Sequence, residues 1–239
     1  MLLLDLTLPT AEENLALDEA LLDEAEAAAA PQETLRLWQP AAPMVVLGRS
    51  SQVGVEAHEA TCRERNVPIL RRTSGGAAIV TGPGCLMYAV VLSLDLRPAL
   101  RAIDLAHRNV LAAIITGLQR QGIVSEQSGT SDLTLNGRKF SGNSLRVRRD
   151  HLLYHGTLLY DFPLELIAAC LGTPPRQPEY RAGRPHDTFV ANLPMTVDGL
   201  RRAIVGAWDI DGYAEEWPRE RVAKLVAEKY SQPAWNLGR

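Results

Sequence analysis

The sequence predicts an α+β (mixed α/β) fold: a central mixed, largely antiparallel sheet flanked by helices, in a single domain over residues 1–239. Three observations predict it. Apolar runs of strand length alternate with longer stretches of helical period. Asn136-Gly137 sits between two such runs and supplies the pair of positive-φ residues of a type I′ hairpin, which joins antiparallel neighbours. The Pro/Arg-rich stretch 174–185 is too short to serve as an interdomain linker.

Thr10 with Glu13 forms a capping-box pattern, and Leu15, Leu17, Leu21 and Leu22 follow at helical spacing until Pro31. Residues 34–38 and 44–48 are short apolar strands separated by a Pro-containing turn. A strand at 67–72 enters RRTSGGAAIVTGPG (71–84), and an apolar run at 85–94 leaves it. Residues 106–122 have helical period and end on a glycine. The hairpin 131–142 and a strand at 151–162 come next, then a short helix at 164–172, the Pro/Arg-rich loop, and helical patterns near 196–208 and 218–230.

Bulk composition removes several function classes. A formal charge of −3 and 5% aromatic residues offer neither a polyanion-binding surface nor base-stacking platforms, so no nucleic-acid partner is expected. Three widely spaced cysteines, Cys62, Cys85 and Cys170, suit a reducing compartment better than a disulfide framework. The start lacks a basic n-region, and no stretch reaches the ~18 apolar residues of a membrane span. A cytoplasmic protein with no membrane partner is expected. P-loop, HExxH, paired CxxC and GxGxxG patterns do not occur.

Three segments could carry chemistry. Arg71 and Arg72 lead into the turn Ser74-Gly75-Gly76, whose bare backbone suits an anion, although a turn with solvated arginines has the same pattern. Lys139 follows the hairpin turn, ahead of Ser141-Gly142-Asn143-Ser144; it suits either a site or a solvated strand edge. His155-Gly156 interrupts an apolar strand, where glycine permits close backbone approach and a histidine is either structural or an acid–base group.

Taken in order, RRTSGGAAIV, SGTSDLTLNGRKFSGNS and HGTLL resemble the lipoate-protein ligase family, which is related to biotin ligases and octanoyltransferases. The resemblance extends to NLALDEALL (14–22), LWQPAAPMVVLGRSSQV (37–53), EYRAGRPHDTFVANL and KYSQPAWNLGR. It implies the biotin/lipoate protein ligase catalytic-domain fold. It also implies ATP-dependent activation of lipoate (or octanoate) as an acyl-adenylate, and transfer to a lysine of a lipoyl-carrier domain. By this resemblance Arg71, Arg72, Ser74, Gly75, Gly76 and Ala77 line the acyl and activated-carboxyl pocket. Lys139 is the catalytic cation, and Asp132 lies by the nucleotide, where Mg²⁺ would sit on the phosphates. Ser141, Gly142, Asn143, His155 and Gly156 complete the site, and Gly48 and Arg49 are weaker carry-overs.

The chain departs from the family pattern at Ala77, where a third glycine is usual, at Thr81-Gly82, where a His-Asp-like pair is usual, and at Cys85, where an Asn is usual. It also ends before the classical C-terminal accessory domain, so a separate small accessory subunit is one expectation. Two alternatives stay open. One is an octanoyl-carrier-dependent octanoyltransferase using Cys170 as a thioester nucleophile. The other is a non-catalytic lipoyl-binding module. The glycine loop of biotin ligases is not found.

Overall fold

The computed structural model describes residues 1–174 and 177–238. Its main sheet has the strand order β11-β1-β2-β6-β10-β9-β8-β7. The strands are β1 (Leu2–Asp5), β2 (Thr34–Trp38), β6 (Cys85–Ser93), β7 (Glu126–Ser128), β8 (Asp132–Leu135), β9 (Arg138–Val147), β10 (His151–Leu159) and β11 (Gly212–Tyr213). β1 runs parallel to β2 and β11, and every other pairing is antiparallel. The expected mixed, largely antiparallel sheet is therefore present.

A second, smaller sheet was not expected. β3 (Met44–Leu47) pairs with β4 (Ile69–Arg71) in parallel and with β5 (Ile79–Thr81) antiparallel. These runs have the same short apolar pattern as core strands, and the pattern does not say which sheet a strand joins. Nor was β7 expected, because Glu126, Gln127 and Ser128 carry no apolar alternation.

Alternation along β6 divides the core. Cys85 and Met87 face α1 (Ala11–Ala27), the small sheet and α5 (Glu165–Cys170). Leu86, Tyr88, Val90 and Leu92 face α4 (Ile103–Arg120) and α7 (Val197–Val205). Both faces of the sheet are covered, so the central strands read as continuous apolar runs. The remaining helices are α2 (Val53–Glu56), α3 (Glu59–Glu64), α6 (His186–Phe189), α8 (Arg219–Leu225) and α9 (Pro233–Asn236). Among the described residues no helix is long and apolar enough to cross a membrane.

Local signals hold where their chemistry is short-range. The Thr10 backbone amide and hydroxyl both donate to Glu13, whose amide donates back to the Thr10 hydroxyl, closing the capping box on α1. Asn136 at φ 53 and Gly137 at φ 71 make the β8–β9 turn as a type I′ hairpin requires.

Candidate active site

One cavity of about 520 Å³ lies against the α1 side of the main sheet, within the usual range of small-molecule sites. Its floor follows from register. Trp38, Met87, Thr157, Gly142 and Asp132 are direct partners across β2, β6, β10, β9 and β8, so they form one row on one face. The row runs from an indole and a thioether to a carboxylate. Val46, Val80, Leu159, Ile167 and Leu171 extend the apolar half.

The charged half centres on Lys139. The ammonium crosses Gly142, 2.9 Å from where a Cβ would stand, and pairs with Asp132 Oδ1 at 2.7 Å. Any side chain at 142 would occupy the path of the lysine. Asp132 Oδ2 accepts the Tyr180 hydroxyl at 2.6 Å. An ammonium has three donors, and one pair to Asp132 leaves two N–H groups for oxygens of a ligand. Burial first, and then Asp132, push the Tyr180 phenol far above its ordinary value, so it stays a donor.

Beneath the glycine turn lies a buried polar chain. Arg36 donates to Asp18 at 2.6 Å, and Asp18 Oδ2 lies 3.2 Å from His155 Nδ1. His155 Nε2 meets Ser74 Oγ at 2.5 Å, and Ser74 Oγ also accepts from Arg72 Nε at 3.1 Å. With the Nδ1 proton facing Asp18 and Nε2 accepting the Ser74 hydroxyl, every partner is satisfied, a tautomer assigned from the hydrogen-bond pattern. The order Asp-His-Ser resembles a hydrolase triad, but Ser74 is 1% exposed and outside the cavity lining. The chain fixes the loop; it presents no nucleophile.

The arginines divide their work. Arg72 lines the cavity and donates to the carbonyls of Val46, Gly75 and Ala77. Burial pulls its guanidinium down to about 10, with Glu56 opposing, so it is a cation at neutral pH. The expectation that Arg71 faces the activated carboxyl needs correction. Arg71 is 1% exposed and donates to the carbonyls of Gly48, Ser51, Trp235 and Asn236. It anchors the C-terminal segment, because a fully desolvated guanidinium needs a matching set of acceptors.

Gly76, Ala77, Asp132, Ser141, Gly142, Asn143, His155 and Gly156 line the cavity; Ser74 and Gly75 do not. The Gly75 carbonyl accepts from the Ser144 hydroxyl at 2.9 Å, tying the turn to β9. Gly48 does not line the cavity, but a Cβ there would stand 1.9 Å from the Gly76 carbonyl oxygen, so it permits the turn to close. Ala77 is exposed, so its added methyl sits at the mouth. Thr81, Gly82 and Cys85 lie outside the lining, and the Thr81 hydroxyl donates to Met87 Sδ at 3.1 Å. These departures therefore alter the surroundings of the cavity and leave its charged end in place.

No cysteine lines the cavity among the described residues. Cys170, the alternative thioester nucleophile, is 0% exposed at the end of α5, against Cys62 of α3. Burial first, and then Cys170, raise the Cys62 thiol to about 11; burial raises Cys85 to about 11 as well. Neither is a ready thiolate.

Asp18, Tyr180 and Arg181 were not anticipated. A signal for Asp18 existed: it interrupts the apolar stripe of α1 between Leu15 and Leu22. Tyr180 and Arg181 lie in the Pro/Arg-rich loop, where nothing local distinguishes them from solvated residues.

Comparison with known proteins follows the same lines. The lipoyl protein ligase A/B catalytic domain model matches residues 10–205. The chain belongs to that family. This member of the lipoyl protein ligase A/B family is 25% identical over 239 residues to lipoate–protein ligase 1 of Staphylococcus aureus, covering 95% of this chain and 70% of that protein. Its fold matches the bi-partite lipoate protein ligase solved with its E2 lipoyl domain from Thermoplasma acidophilum, with TM-score 0.84, 22% identity, and 99% and 96% of the two chains covered. It also matches lipoate-protein ligase A bound with ATP, with TM-score 0.82, 21% identity, and coverage of 99% and 98%.

Proposed function

We propose that this chain is the catalytic domain of a lipoate-protein ligase. It joins lipoate (or octanoate) to ATP as the acyl-adenylate and passes the acyl group to a lysine of a lipoyl domain. The observation that carries the reading is the floor of the cavity, a single row that runs from Trp38 and Met87 to Asp132 with the Lys139 ammonium above it.

From β9 to β6 the row spans two strand spacings, roughly 10 Å. That is about the length of an extended eight-carbon acyl chain. A carboxylate beside Lys139 would thus leave its apolar tail over Thr157 and Met87, pointing toward Trp38. In the first step the acyl carboxylate attacks the α-phosphorus of ATP and pyrophosphate leaves. In the second, a target lysine amine attacks the acyl carbon, AMP leaves and an amide forms. The two free N–H groups of Lys139 would hold the acyl oxygen and the α-phosphate together as negative charge builds in both steps. No cysteine intermediate is needed.

Mg²⁺ would be carried by the triphosphate, with Asp132 as its single protein ligand. That suits an ion that usually takes one or two carboxylates with phosphate and water. Among the described residues no cluster of three or more His, Cys, Asp or Glu side chains forms a metal cage. The relative from Thermoplasma acidophilum is bi-partite and was solved with an E2 lipoyl domain. This supports a lipoyl domain as the macromolecular substrate and a separate accessory subunit for transfer. The test is lipoate-dependent exchange of labelled pyrophosphate into ATP. Exchange that requires lipoate supports adenylation; its absence, with octanoyl transferred from a carrier protein instead, overturns it.

A further inference from the structure

We propose that Arg181 is a phosphate-binding residue for the ATP triphosphate, an inference that rests on the adenylation reading above. Arg181 lines the cavity and is 3% exposed. Its guanidinium lies 4.8 Å from the centre of the Phe189 ring, and its Nε donates to the Arg184 carbonyl at 2.8 Å.

The other two cations of the cavity are balanced within the protein. Lys139 is paired with Asp132, and Arg72 is ringed by three carbonyls and the Ser74 hydroxyl. Arg181 is not balanced. Among the described residues no carboxylate pairs with Arg181; the titratable groups that act with it are the Tyr180 phenol, the Arg184 guanidinium and the His186 imidazole. Arg184 lies 5.3 Å from the same Phe189 ring and spends its own donors on the carbonyls of Gly137, Tyr180 and Arg181.

Covering a cation without a counter-ion is costly, and folded proteins repay that cost with an anionic partner. Location selects the anion. Arg181 follows Tyr180, which binds Asp132 beside Lys139, so it belongs to the charged end of the row. The acyl chain, by the register, lies toward Met87. A guanidinium held by Nε and by a ring face keeps its two terminal nitrogens for a forked grip on phosphate oxygens.

The test compares wild-type protein with Arg181→Met and Arg181→Lys, using MgATP and lipoic acid. Methionine keeps the contact with Phe189 and removes the charge. Loss of one charge-assisted hydrogen bond predicts a KM for ATP raised roughly 10- to 100-fold in R181M. KM for lipoate should stay within about twofold, and R181K should recover part of the loss. The Tm of ligand-free R181M should equal or exceed that of wild type, because the unpaired buried charge is gone, while the ATP-induced rise in Tm should shrink. An ATP-induced rise of equal size in wild type and R181M overturns this inference alone. So does a KM change confined to lipoate, or a lower Tm in ligand-free R181M with both KM values unchanged. No ATP-induced rise in wild type overturns the adenylation reading and this inference together.

Discussion

Ser74 Oγ meets His155 Nε2 at 2.5 Å across 81 residues of sequence, and this contact holds the glycine turn over the sheet. Ser74 also receives Arg72, and His155 is oriented by Asp18. Ser74→Ala leaves two buried partners unsatisfied, at a cost of about 1–3 kcal/mol. Because the turn carries Gly76 and Ala77 of the cavity, KM for lipoate should rise with the loss of stability. Urea unfolding and lipoate kinetics check both. A fall in kcat of several orders with stability and KM unchanged would mean that Ser74 takes part in the chemistry.

Glu19 predicts an acid transition. Its carboxylate accepts the Lys229 ammonium at 2.6 Å and the Tyr230 hydroxyl at 2.7 Å on one oxygen, and Thr73 at 3.1 Å on the other. Burial raises the carboxyl, but Lys229, Tyr230 and Arg146 together more than reverse it and hold it below its ordinary value of 4.5. Burial also lowers the Lys229 amine, and its pairing with Glu19 opposes that shift. With the folded value depressed, the stabilisation is fully present above about 4.5 and is lost as pH falls through the folded value. Glu19→Gln should cost about 3 kcal/mol at pH 7, by leaving Lys229 and Arg146 uncompensated. It should also flatten the fall in stability below pH 5, measured by urea unfolding across pH. An unchanged slope would show that Glu19 does not set the acid limit.

Cys170 separates the two acyl-transfer routes. Cys170→Ser places a hydroxyl in an apolar site and should cost about 1–3 kcal/mol of stability. Lipoate-dependent adenylation should stay within about twofold of wild type at a temperature where both are folded. Loss of all acyl transfer in a folded C170S protein would revive the thioester route.

Gly156 tests the packing beneath the site. A Cβ there would stand 1.8 Å from Asn143 Oδ1, which accepts the Tyr88 hydroxyl at 2.6 Å. Gly156→Ala should displace Asn143 and cost more than the roughly 1–3 kcal/mol of ordinary overpacking. A thermal melt indistinguishable from wild type would contradict that contact.

What the sequence made legible was short-range. Thr10 and Glu13, or Asn136 and Gly137, act on neighbours in the chain, so spacing reveals them. The role of Arg71 was hidden because its acceptors on Trp235 and Asn236 lie 164 and 165 residues away. Asp18 and His155 are 137 residues apart, and neither local pattern names the other. Lys139 stood out at the hairpin turn and the resemblance implied its role, but its place over Gly142 beside Asp132 depends on the register of β8, β9 and β10. The small sheet was not legible because an apolar strand looks the same whichever partner it finds.

On the proposed reading, Lys139 at the charged end of the row supports acyl-adenylate formation. The direct measurement incubates wild-type protein and Lys139→Ala with ATP, Mg²⁺ and lipoic acid, with and without a lipoyl domain. Mass spectrometry follows lipoyl-AMP and the lipoylated domain. Wild type should form lipoyl-AMP, and the variant should do so at a rate lower by about 10²–10³, in line with the loss of one preorganised charge. Adenylate without transfer would locate the missing activity in an accessory subunit. No lipoyl-AMP from wild type, or equal rates from the two proteins, would contradict a catalytic role for Lys139.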